Sequence, residues 1–193
     1  MTRVNGLDGT DPASLTWGEA EGRRQIYDIQ KYLIDYVPGF ENAHFTKMAP
    51  FIGIRETRRI VGKYVMTAAD VLGCQRFNDA IAVASYPLDL HHPQGGGCTL
   101  EWCGDCYDIP YRSLIPENIE NLIVAGRCIS TTHEAMSAIR VMAPCMAMGE
   151  AAGRAAKLAI RAGVAPSQLD VAKLREELIA KGAFLNPAAL AES

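Results

Sequence analysis

Apolar positions along this chain follow three different patterns, and each pattern predicts a different element. Ile26, Ile29, Leu33, Ile34 and Val37 recur at the spacing of one helical face. Thr16 with Glu19 has the form of a capping box at the head of that helix, and Pro38-Gly39 ends it. From Phe45 to Met66 the pattern changes. Phe51, Ile52, Ile54, Ile60, Val61, Tyr64 and Val65 are β-branched or aromatic, and the stretch predicts two or three strands interrupted by Gly53 and Gly62. Thr67-Ala-Ala-Asp70 predicts a short capped helix. Ala80 to Leu90 reads as one apolar strand, His91 to Cys106 as a long Gly-rich surface loop, and Tyr107 to Tyr111 as a short strand. The unbroken run Leu122-Ile123-Val124-Ala125 predicts that Asn121 to Ala125 is a buried strand. A helix over Met142 to Ala162 follows, with Gly163 as its stop. A last amphipathic helix spans Asp170 to Lys181, with Gly182 behind it.

This order of elements predicts an α/β chain, α+β in its mixture, with a mostly antiparallel sheet. Composition narrows the function classes. Apolar residues make up 49% of the 193, enough for a core. The formal net charge of -3 gives no electrostatic reason to expect nucleic acid or an anionic membrane as partner. No apolar run approaches the roughly 20 residues of a membrane span. The polar start, Met1 to Gly9, has no secretory core. Six cysteines are too few for a disulfide scaffold, so reduced thiols in a cytoplasmic protein are expected.

The stretch from Asn121 to Ala156 carries the chemistry. A strand that ends in Gly126-Arg127 is followed by a helix with no charge in its first turn. Pro144 fits only the first turn, which puts the helix start near Val141 to Ala143. The positive end of that helix favours an electron-rich or anionic group. Gly149 and Gly153, with five alanines, make one flank smooth enough for a flat ligand. Tight packing against another element is the alternative use of the same flank.

The segment "IPYRSLIPENIENLIVAGRCISTTHEAMSAIRVMAPCMAMGEAAGRAA" resembles the C-terminal portion of a bacterial FAD-dependent oxidoreductase family, related in its flavin domain to the heterodisulfide reductase A-like flavoproteins. "LTWGEAEGRRQI", "VPGFENAHF" and "FIGIRETRRIVGKYVMTAADVL" resemble the same family in the same order, so the likeness covers about Gly9 to Gly182. It implies that residues 1–106 belong to a substrate domain and 107–193 to the C-terminal segment of an FAD-binding domain. It further implies that Gly126 and Arg127 approach the ribityl–phosphate region of FAD. Arg140, Val141 and Met142 would lie by the pyrimidine edge of its ring system.

The same family starts with a Gly-rich dinucleotide fingerprint, and no G-x-G-x-x-G occurs in these 193 residues. The expectation is therefore an enzyme part whose pyrophosphate cradle is supplied elsewhere, with an N-terminal FAD-binding half on another chain as one candidate source. Three further residues are catalytic candidates toward an unidentified small substrate. Arg58 and Arg59 point to opposite faces if the segment is a strand, so one of them can clamp a carboxylate. A solvated strand edge is the alternative for each. His133, beside Glu134, sits in the bend before the helix and is placed to give or take a proton. Tyr111 and Arg112 match the family without an assigned role. His91-His92 reads as loop decoration, with His91 able to reach a pocket. Cys103-x-x-Cys106 with Cys98 is half of a metal or redox motif. An iron–sulfur cluster occurs at family level, but nothing here completes one. Cys128 and Cys145 read as packing residues. Two alternatives stay open: a non-catalytic chain that needs a partner, which would expose apolar surface around Leu122 to Ala125 and the Met142 helix, and a cysteine-based metal or redox module.

Overall fold

The computed structural model describes residues 2–91 and 97–186. His92, Gly95 and Gly96 of the anticipated loop lie outside them. The described residues form two compact units, residues 2–57 and residues 58–91 with 97–186.

The first unit is built on α1 (Pro12–Tyr36). The helix starts four residues before the Thr16–Glu19 pair, because Asp11-Pro12 is the stronger start signal. The Asp11 carboxylate accepts from the Ala13 and Ser14 amides at 3.2 and 2.9 Å, and Pro12 needs no partner for an amide it lacks. Thr16 donates its hydroxyl to Pro12 O at 2.9 Å instead of capping. Glu19 accepts from the Ile52 amide and pairs with Arg23 at 3.2 Å. Only Gly18 and Gly22 are buried on α1. They are one turn apart, and a β-carbon at Gly18 would stand 2.6 Å from Leu7 Cδ1. The strands anticipated between Phe45 and Met66 do not form. That backbone is extended but has no neighbouring ladder, and Gly62 and Met66 make only isolated bridges, to Pro116 and Thr131.

The second unit holds the whole apolar core of the described residues, from Met66 to Leu185. Its helices are α2 (Ala68–Leu72), α3 (His133–Ile139), α4 (Met142–Ala162) and α5 (Val171–Ala180). Its strands are β1 (Ala80–Ala84), β2 (Leu88–His91), β3 (Cys98–Glu101) and β4 (Tyr107–Pro110). They make two antiparallel pairs, β1 with β4 and β2 with β3. The single strand expected over Ala80 to Leu90 is thus two, split at Ser85-Tyr86-Pro87, where Pro87 has no amide to donate. Part of the expected loop is β3. The β1–β4 pair joins the stretch assigned to a substrate domain to the stretch assigned to a flavin domain.

Helix α4 ends at its C-cap Gly163, which turns left-handed at φ +67°. Pro144, Met148, Ala151, Ala155 and Ala159 make its buried face, which packs on β1. α5 lies against both, with Arg175 donating to Ala80 O and Glu177 paired to Lys157 and Arg154. The opposite face of α4 shows Met142, Met146 and Ile160 to solvent.

Asn121 to Ala125 is not a buried strand. Asn121 is left-handed at φ +55°, Leu122 is exposed, and the run makes one ladder-like bond, from the Val124 amide to Leu114 O at 2.9 Å. An apolar run becomes a buried strand only where strands flank it, and none does so here among the described residues.

Three irregular segments, residues 60–66, 113–117 and 128–132, cross at Gly62. The Ile60 amide bonds Cys128 O, Lys63 bonds Ile115 O, Met66 bonds Ser130 O, and Ser130 bonds Ser113 O, all within 2.9–3.1 Å. A β-carbon at Gly62 would stand 2.7 Å from Ser130 Cβ and 3.1 Å from Ile115 O. Gly62→Ala should therefore lower stability by about 1–3 kcal/mol in urea unfolding. Gly149→Ala, whose β-carbon meets nothing within 4 Å, should raise it by roughly 0.5–1 kcal/mol.

Asp108, on β4, is buried. Its carboxylate accepts from the Phe77 amide at 2.9 Å and pairs with Arg76 at 2.9 Å. Burial outweighs both and pushes its pKa above the ordinary 3.8. The folded state then holds the proton more tightly than the unfolded chain. Stability should fall as pH rises from about 3.8 through the raised value. Unfolding midpoints of the native chain should therefore fall relative to those of Asp108→Asn as pH rises across that range.

Candidate functional site

The crossing at Gly62 delivers the backbone to Gly126 through His133. Gly126 stands at φ +83°, and a β-carbon built there would meet nothing within 4 Å. The backbone conformation, not crowding, is what requires glycine, and the space beside it is open. The Ile129 amide returns to Gly126 O at 3.4 Å, so Arg127 and Cys128 sit exposed at the tip of a tight turn.

The charge at that turn reaches the first turn of α4. The Cys145 thiol, in the first turn of the helix, is pushed up by burial, and the Arg127 charge acts on it in the opposite sense. Val141 is the extended N-cap of α4 and makes no side-chain cap. Met142 is 82% exposed. The first amides of α4 thus have no side-chain cap, and its start lies where the position of Pro144 suggests.

His133 lies not in a bend but at the first position of α3, with Thr132 as N-cap. Sequence reasoning missed this helix of seven residues, which is too short to show a period. The Thr132 hydroxyl accepts from the Ala135 amide at 3.3 Å. The Glu134 carboxyl is held below the usual range by its own backbone amide, then by the Thr132 hydroxyl. The charges of His133 and Arg59 add to this. Arg59 is half-buried and next to Ile60, whose amide bonds Cys128 O. Arg58 is exposed. The structure thus brings Arg59, His133 and Glu134 to the same crossing that carries the Gly126 turn.

Arg140 is differently placed. It caps the end of α3, is mostly buried, and donates from Nη2 to Asp89 O at 2.9 Å. The same nitrogen is 3.6 Å from an Asp89 carboxylate oxygen. Its head is thus engaged with β2, a contact between residues 51 positions apart. Asp89 itself was not anticipated, although Asp89-x-His91 on a strand places both side chains on one face.

The remaining candidates are structural. The Tyr111 hydroxyl donates to Pro166 O at 3.0 Å. Arg112 is forked onto Asp79 at 2.9 and 3.2 Å and lies over the Tyr64 ring at 5.1 Å. Cys103 is buried and donates to Asp105 O at 3.1 Å, while Cys106 lies 3.5 Å from Arg76. Among the described residues, the three-ligand grouping that forms takes Cys98 with Asp89 and His91, and neither Cys103 nor Cys106. An open hollow of about 590 Å³ is lined by Arg76, Phe77, Asn78, Asp79, Arg112 and Val171. It includes none of the flavin candidates, and carboxylates already hold both its arginines. No described helix is long and apolar enough to cross a membrane.

No curated protein and no solved structure matches this chain. A family model described as FAD dependent oxidoreductase matches residues 1–178. With nearly all of its length inside that match, the chain belongs to the FAD-dependent oxidoreductase family.

Proposed function

We propose that Gly126, Arg127, Val141 and Met142 form one wall of an FAD site in an oxidoreductase acting on a small substrate. The observation that carries this reading is the open, left-handed Gly126 turn, whose Arg127 charge reaches the first turn of a helix with no side-chain cap. Both features fit a flat, partly anionic ligand. The turn admits close backbone approach, and the helix amides with Arg127 favour negative charge. Bound there, FAD supplies a carrier of two electrons. The chain's own residues do the rest. Arg59 holds a substrate carboxylate or a developing negative charge. His133 holds or receives a proton at a ring nitrogen, and Glu134 fixes the start of α3 beneath it. Residues 1–106 belong on this reading to the substrate domain and 107–193 to the flavin domain. In this scheme Arg140 anchors the corner before Val141 rather than touching the cofactor.

One wall is not a complete dinucleotide site. The pyrophosphate needs a Gly-rich strand–turn–helix, which these residues lack, so we propose that another polypeptide segment supplies it. The exposed Leu122, Met142, Met146 and Ile160 agree with a face that such a segment covers. They equally favour the second reading, a chain without activity of its own until it is joined.

Titration of the chain with FAD, followed by fluorescence quenching, should give micromolar binding or weaker, about -8 kcal/mol or less in magnitude. Gly126→Ala should weaken it by about tenfold or more, through strain at positive φ and the added methyl group. Adding a segment with the Gly-rich fingerprint should tighten it. A nanomolar complex of the chain alone would remove the need for a second segment. Unchanged affinity in Gly126→Ala would remove the turn from the site.

A further inference from the structure

We propose that Asp89, His91 and Cys98 bind a borderline-soft divalent cation, zinc in class, at the edge of the β2–β3 pair. This does not rest on the flavin reading. Asp89 and His91 are two apart on β2, so their side chains share a face. Cys98 on β3 stands directly opposite His91 in the register. One donor atom from each of the three lies within 4.8 Å of the others. His91 Nε2 is 3.2 Å from an Asp89 carboxylate oxygen. A tetrahedral zinc ion with ordinary bond lengths separates its ligand atoms by about 3.3–3.7 Å. The widest pair therefore has to close by roughly 1 Å, within the reach of side-chain torsions.

The framework behind the site is built to hold Asp89. Its amide donates to Ser137 Oγ at 3.0 Å, and Ser137 donates to Glu134 O at 2.6 Å. Its carbonyl accepts from Arg140 at 2.9 Å. Both contacts come from α3 and its cap, so the helix fixes the strand at the ligand itself. The Arg140 guanidinium, 3.6 Å from the same Asp89 carboxylate oxygen that faces His91, holds that side chain in place as an outer-sphere partner. Sulfur, nitrogen and one carboxylate oxygen select zinc-like ions over magnesium or calcium, which require oxygen shells. A thiolate and a carboxylate with a neutral imidazole carry two negative charges, matching the dication. Three protein ligands leave a fourth position open, the arrangement of a reactive rather than a purely structural zinc.

Cobalt(II) is the probe, because its bond to a thiolate is visible. The full chain, stripped with chelator, should take up one equivalent of cobalt(II) with a sulfur-to-metal charge-transfer band, and zinc should displace it. Cys98→Ser should abolish the band. His91→Ala and Asp89→Asn should each weaken uptake by about tenfold or more. Cys128→Ser, at an exposed cysteine elsewhere, should keep the band. Circular dichroism identifies any variant that misfolds, and Cys98→Ser, exposed on an outer strand, keeps the test decisive. Absence of stoichiometric cobalt uptake, or a band that survives Cys98→Ser, would overturn the proposal. So would rapid alkylation of Cys98 that depends on His91 without any metal uptake, which would make the trio an activated thiol instead.

Discussion

The close backbone crossing at Gly62 is the constraint on which the rest of the second unit depends. Only a residue without a β-carbon lets residue 62 lie this near Ser130 and Ile115. The bonds gathered there hold three segments that belong to no α-helix and no strand. Side chains contribute little. The hydroxyls of Ser113, Ser130 and Thr131 are buried without a hydrogen-bond partner among the described residues, each at a cost of about 1–3 kcal/mol. Backbone bonds therefore carry the crossing, and through it they set the position of the Gly126 turn and the start of α3.

What the sequence makes legible follows from how local each signal is. α2, α4 and α5 are marked by residues within one turn of their ends: Thr67 with Asp70, Pro144 with Gly163, Asp170 with Gly182. The open glycine turn and the helix start at Met142 are local in the same sense. Strands are not. Phe51 to Val65 has strand composition, but whether it pairs depends on what lies beside it. Leu122 to Ala125 has the apolarity of a central strand and no neighbours to make it one. Side-chain destinations are the least legible. Arg140 precedes the helix that offers its amides to a ligand, yet its guanidinium answers to Asp89, far away in the chain.

The two units differ in how they are held. In the second, Tyr107, Ile109, Met136, Ile139 and Met148 are fully buried in one apolar cluster. The first relies on Leu7 and Ile52 against two glycines, and on ion pairs along α1, such as Arg24 between Glu21 and Asp28. Exposed pairs of this kind contribute little to stability. Trp17, Tyr27, Tyr32 and Tyr36 remain exposed. The cooperative core, and with it the machinery around Gly126, belongs to the second unit.

Helices α3 and α4 are joined by two residues, Arg140 and Val141. Arg140 closes one, Val141 opens the other, and the only soft torsions between the two helix axes are those of this corner. The corner works as a crank. Its short arm, α3, is bolted to β2 through Ser137 and Arg140, and its long arm begins with the amides at Met142. Between Asp89 and that end stand only α3 and the two residues of the corner, with no slack loop between them. The strand that carries Asp89 and the helix that begins at Met142 are thus fixed in one continuous, rigid connection.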